Sequence, residues 1–159
     1  MIAWLGLPAA GFAAATVIFV RHGEKASVPA KDPPLTPAGQ KRAGALATTL
    51  ADVAVKAIFV TNTKRTQQTA KPLADRLHLQ PRVIDDAAAL LAAIKQTDGV
   101  VVVVGHTNTI PDVILQLGGP KLEIKDSEYD NLLVLTPAGA STTLLRLHYG
   151  APRATAAVP

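Results

Sequence analysis

"TVIFVRHGEK", residues 16–25, decides how the rest of the chain is read. Thr16–Val20 is a continuous run of β-branched and aromatic residues, the pattern of a strand buried on both faces. It ends directly in Arg21, His22 and Gly23. Such a junction is either the rim of a reaction centre or an ordinary polar turn. Two more runs repeat it. Ala57–Val60 (AIFV) leads into Thr61–Asn62–Thr63–Lys64–Arg65, and Val100–Val104 (VVVVV) into Gly105–His106–Thr107–Asn108.

Helical signals separate these strands. Thr36–Pro37 supplies an N-cap and a proline at the first helical position ahead of AGQKRAGALATTLADV. Arg65–Leu77 reads as a helix in which Pro72 demands a kink or a first-turn placement. Asp85 or Asp86 caps DAAALLAAIKQ, and Thr109–Leu117 is a short helix stopped by Gly118–Gly119. Val83–Ile84 is a short strand or an extended connection. Leu132–Leu135, the turn residues Thr136–Gly139 and Thr142–His148 read as a hairpin at one side of the sheet. Strands alternating with helices predict an α/β fold, a three-layer α/β/α sandwich with a mainly parallel central sheet.

The composition agrees. The chain has 159 residues, 48% of them hydrophobic but only 4% aromatic, so its core is aliphatic and its length suits one domain. The expected organisation is an apolar extension or signal-peptide remnant over 1–15, a single domain over 16–150 and a flexible proline- and alanine-rich tail over 151–159. MIAWLGLPAAGFAAA has the small, uncharged character of the later part of a secretory signal but lacks its basic leading region. Export is the favoured reading, with a cytoplasmic N-terminal extension as the alternative. The stretch is too short and too broken by Gly and Pro for stable membrane insertion.

A net charge of +4 suits anionic ligands. The basic residues are scattered and no aromatics interleave with them, which argues against nucleic acid as a partner. With no cysteine, thiolate zinc sites, disulfides and thiol nucleophiles are excluded.

In an open α/β sheet, ligands bind beyond the carboxyl ends of the strands. If the three runs are parallel neighbours, two arginines and two histidines meet there. Arginine presents a planar fork of donors matched to phosphate oxygens. Histidine serves as nucleophile, acid or base. Gly23 permits close backbone approach. A single histidine after a strand is usually a hydrogen-bonded turn residue, and a single arginine at a helix start a solvated charge. Their joint placement after three strands is harder to obtain by chance and points to an anion-handling site. No carboxylate stands at a short, ligand-like spacing from either histidine, so a metal centre is not expected.

The ordered segments VRHGEK, LTPAGQKRA, TNTKRTQQTAKPLA and VVVVGHTNTI resemble the histidine phosphatase superfamily, also called phosphoglycerate-mutase-like, over about residues 16–148. The resemblance implies that His22 is a nucleophile forming phosphohistidine, and that Arg21, Arg65 and His106 form the rest of the phosphate pocket. It implies hydrolysis by water, without metal or cofactor, of a phosphorylated small molecule or a phosphoprotein. The general acid is expected at Asp86 or Asp85, with helix capping as the alternative role. Thr107 stands where phytase-like members carry an aspartate, which argues against that branch. Thr107 and Asn108 are expected to line the pocket or cap the following helix, and Glu24 to shape the loop. Without a well-placed acid, good leaving groups such as phosphohistidine are favoured. Short connections make a mutase-type phosphotransferase less expected than a phosphatase, and retention of all four pocket residues argues against a non-catalytic phosphate-binding module.

Overall fold

The computed structural model describes residues 15–138 and 141–152. The apolar segment proposed as a signal remnant lies outside these residues except for Ala15, and the expected tail except for Ala151 and Pro152. Among the described residues, β1 (Thr16–Arg21), α1 (Pro37–Thr49), β2 (Val55–Val60), α2 (Lys64–Leu77) and β3 (Arg82–Val83) come first. They are followed by α3 (Ala87–Lys95), β4 (Val100–Gly105), α4 (Thr109–Gln116), β5 (Asn131–Ala138) and β6 (Ser141–His148). The sheet order is β3-β2-β4-β1-β5-β6, parallel from β3 to β1 and antiparallel for β5 and β6. The three strands singled out from the sequence are therefore parallel neighbours.

Strand alternation splits the core into two layers. Ile18, Val20, Ile58, Val60, Val102 and Val104 face α1 and α2, where they meet Leu46, Leu50 and Leu73. Val17, Phe19, Phe59, Val101 and Val103 face the other way, against Ile94, Ile110 and Ile114 of α3 and α4. This double-sided burial is what an unbroken apolar strand requires. Burying a side chain such as Phe19 or Ile58 contributes roughly 1.5–3 kcal/mol over leaving it exposed. The sheet centre is thus held much more firmly than the outer strand β6, whose Leu145 and Leu147 are half exposed.

Local signals set most helix boundaries. Thr36 Oγ1 accepts the Gly39 N–H at 3.1 Å, and Pro37 opens α1. Asp86 Oδ1 accepts the Ala89 N–H at 2.8 Å at the start of α3. Helix α4 stops before Gly118, which has φ 83°. Pro72, in contrast, lies inside α2, which runs through it as one element. It cannot donate the helical bond to the Gln68 carbonyl, and the helix is held instead by Thr69, Ala70, Leu73 and Ala74 buried along one side. The hairpin also differs from expectation: Thr136, Pro137 and Ala138 extend β5 and pair with Thr143, Thr142 and Ser141. Pro137 is tolerated because the pairing of β5 with β1 ends at Leu135, leaving an edge on that side.

Candidate active site

Register brings the site together. Arg21 pairs with Gly105 across β1 and β4, and the His22 N–H continues the ladder to the Gly105 carbonyl at 3.0 Å. His22 and His106 therefore leave adjacent strands at the same level, with ring centroids 5.3 Å apart and planes at 62°. Val60 pairs with Val104, so β2 delivers Thr61 beside them. Thr61 Oγ1 lies 2.9 Å from His106 Nε2. It is also 3.0 Å from Thr66 Oγ1 in the first turn of α2, next to Arg65.

The His22 ring has a defined orientation. Its Nδ1 is 2.8 Å from the Gly23 carbonyl oxygen. A carbonyl can only accept, so Nδ1 carries the proton and Nε2 holds the lone pair. His22 is 3% exposed. Burial lowers its pKa to about 4, opposed by the bond to Gly23 and reinforced by the charges of Arg21, His106 and Arg65. His106 is lowered to about 4 by burial and then by Arg65 and Arg21, with the Asp85 carboxylate acting the other way. Both imidazoles are neutral at pH 7.

Arg21 is 5% exposed. Its Nη1 donates to the Asp126 carbonyl at 2.6 Å, and its Nη2 lies 3.6 Å from the Asp126 carboxylate. The guanidinium stacks on Tyr129, 4.0 Å from the ring centroid. That ring stands 6.1 Å from the His22 ring. Arg65 has its own rim carboxylate, Asp32, 4.0 Å away, and Asp32 also accepts the Lys64 N–H at 2.8 Å. The Nε atoms of both Arg21 and Arg65 are buried without a hydrogen-bond partner. A buried donor left unpaired costs about 1–3 kcal/mol, so an anion that supplies acceptors is strongly favoured here.

The remaining sequence candidates separate. Asp86 Oδ1 is engaged in capping α3. Asp85 Oδ1 accepts the Asn62 N–H at 2.7 Å, and its charge reaches His106. Thr107 Oγ1 donates to Asp126 Oδ1 at 3.4 Å. Asn108 occupies the N-cap position of α4 without a side-chain capping bond. Instead Thr109 Oγ1 accepts the His106 N–H at 3.2 Å. Glu24 faces Arg42, whose Nη2 lies 2.7 Å from Glu24 Oε1. Burial alone would raise the Glu24 pKa, but the hydrogen bonds from Arg42 hold it below the ordinary carboxylate value. The close approach that Gly23 permits is to the backbone of α1: a Cβ there would stand 2.9 Å from the Gly39 carbonyl oxygen.

Thr61, Asp32, Asp126 and Tyr129 are site residues that the sequence reading missed. Thr61 was signalled by its place directly after a buried strand. The other three lie in irregular segments with no periodicity to mark them. Among the described residues no group of three or more His, Asp or Glu side chains is placed to hold a metal, and no helix is long and apolar enough to cross a membrane.

Comparison with known proteins gives three kinds of result. The model of the histidine phosphatase superfamily (branch 1) matches residues 17–89, a span containing Arg21, His22, Arg65, Asp85 and Asp86. No curated protein matches the sequence. Solved structures with the same fold include the protein histidine phosphatase SixA complexed with tungstate, at 20% identity and TM-score 0.69, covering 84% of this chain and 96% of that one. A mycobacterial glucosyl-3-phosphoglycerate phosphatase shares 17% identity with TM-score 0.64, over 87% of this chain and 100% of its own. A phosphoglycerate mutase from Bacillus anthracis shares 15% with TM-score 0.62, over 84% and 92%. At these identities the likeness is one of fold.

Proposed function

We propose, from the family match over residues 17–89 and the shared fold, that this chain is a metal-independent phosphatase of the histidine phosphatase superfamily working through a phosphohistidine on His22. The observation that carries the proposal is a neutral imidazole, its Nδ1–H committed to Gly23, beside two arginines with buried, unpaired Nε–H groups. In the first step His22 Nε2 attacks phosphorus and the bond to the leaving group breaks. Arg21, Arg65 and His106 hold the phosphoryl oxygens and offset their charge in the transition state. In the second step water attacks phosphorus, the P–N bond breaks, and inorganic phosphate leaves with the imidazole restored.

Of the two candidate acids, Asp85 is the better placed to protonate a leaving group, because its charge acts on His106 whereas Asp86 caps a helix. Yet Asp85 also accepts a backbone N–H. That engagement favours substrates needing little acid assistance, and phosphoramidates such as phosphohistidine on a protein are the reading it supports. The protein histidine phosphatase SixA shares the fold. Hydrolysis of p-nitrophenyl phosphate, acetyl phosphate and a phosphohistidine peptide by wild type and His22→Ala tests both readings. Activity lost in the variant and highest on the peptide is expected. A wild type no more active than the variant would overturn the phosphatase reading.

A further inference from the structure

Outside the phosphate pocket, Arg42 is a buried charge, 6% exposed, on the inner side of α1. Its guanidinium reaches two separate segments. Nε lies 3.0 Å from each oxygen of the Glu24 carboxylate, and Nη2 lies 2.7 Å from Oε1. Nη1 donates to the Tyr149 carbonyl at 3.0 Å, and Nη2 also donates to the Ala151 carbonyl at 3.2 Å. The side chain thus ties the turn after β1 to the segment after β6. Gly150 is needed between those carbonyls: its φ is 70°, and a Cβ there would stand 3.2 Å from Arg42 Nη1.

Taking the phosphatase reading as its basis, we propose that Arg42 is a positioning residue that, through Glu24 and the Tyr149–Ala151 segment, aims the His22 imidazole. The peptide linking Gly23 to Glu24 has the His22 acceptor at its carbonyl and the Arg42-bound residue at its other end. If that peptide rotates, the Gly23 carbonyl leaves Nδ1 and the ring loses both its tautomer and its direction. Two further hydrogen bonds of the turn act elsewhere. Thr69 Oγ1 accepts the Gly23 N–H at 2.9 Å, and the Glu24 carbonyl accepts the Thr36 N–H at 2.8 Å, so each holds a group outside that peptide. A lysine in place of Arg42 has one charged nitrogen and cannot grip a carboxylate with a fork while reaching two carbonyls.

The test uses Arg42→Lys, Glu24→Gln and Glu24→Asp in the full chain, with unfolding midpoints measured beside kinetics on p-nitrophenyl phosphate and the nitrogen-15 spectrum of the His22 ring. Wild type is expected to show a single Nδ1–H tautomer. In Arg42→Lys and Glu24→Gln, kcat is expected to fall about tenfold to a hundredfold with KM within about threefold, because misaiming a reacting group costs rate more than affinity. The same two variants are expected to show mixed tautomers, and Glu24→Asp partial recovery of both readouts. If Arg42→Lys does not fold, the Glu24 pair decides the question. Folded variants with unchanged kcat and an unchanged His22 tautomer would overturn the proposal. The tautomer is read without turnover, so a wild type that hydrolyses nothing would defeat the phosphatase reading and leave the positioning result standing on the spectrum.

Discussion

In the proposed reaction His22 is the side chain on which the chemistry turns, and its environment makes specific demands. Burial and the neighbouring cationic groups hold its pKa at about 4, so the neutral, nucleophilic form is nearly complete at pH 6. An NMR titration of the ring should show its midpoint near pH 4 and not near the ordinary 6.5. A midpoint above 6 would mean that the site is wetter than described. Asp85 and Asp86 should separate in the same way. Asp85→Asn is expected to reduce hydrolysis of alkyl phosphates selectively, by about 10²-fold or more, and to spare aryl phosphates. Asp86→Asn should reduce neither selectively, because Asn is also a good N-cap, whereas Asp86→Ala should lower stability by about 1 kcal/mol. Equal losses on both ester types with Asp85→Asn would remove it as the acid. Arg21, His22, Arg65 and His106 were legible in the sequence because each follows a buried strand or opens the next helix. Asp126 and Tyr129 were not, because the loop that folds them over Arg21 has no pattern tying it to β1.

At the level of elements, the site depends on the fit between the turn after β1 and the start of α1. A Cβ at Gly39 would stand within overlap distance of the Glu24 carbonyl oxygen, which is backbone and cannot swing aside. Gly39→Ala should therefore destabilise the protein by roughly 1–3 kcal/mol, read from denaturant midpoints. Gly44→Ala, on the same helix with open space around it, should be neutral or slightly stabilising. Equal effects at the two glycines would contradict the packing described. That β1, β2 and β4 lie side by side was expected from three apolar runs, since strands buried on both faces lie inside a sheet, whereas their order β2-β4-β1 was not legible. Helix α2 and strand β5 ran past their prolines where the sequence suggested interruption. Tertiary burial along α2 outweighs one missing hydrogen bond, and Pro137 falls where its neighbour strand has already ended.

Across the whole molecule, the two buried histidines link function to pH. Their folded-state pKa values are lowered, so the unfolded chain binds more protons between pH 6.5 and 4, and stability must fall as pH drops through that window. Glu24, lowered from 4.5, adds its loss only below that value. Urea midpoints should therefore decline from pH 6.5 downward in wild type and less steeply in His22→Gln. An identical slope would show that His22 is not protected from protonation by folding. The fold class and the converging cluster were readable from the chain because both follow from where apolar runs end. The coupling of the last strand to the first turn through Arg42 was not, because it joins residues more than a hundred positions apart. The most direct measurement is a rapid quench of the wild type during turnover of a phosphorus-32-labelled substrate, followed by peptide mapping under alkaline conditions. The account predicts a label on His22, stable to alkali, lost in acid and decaying at a rate consistent with turnover. Turnover with no labelled enzyme, or with the label on a peptide lacking His22, would contradict it.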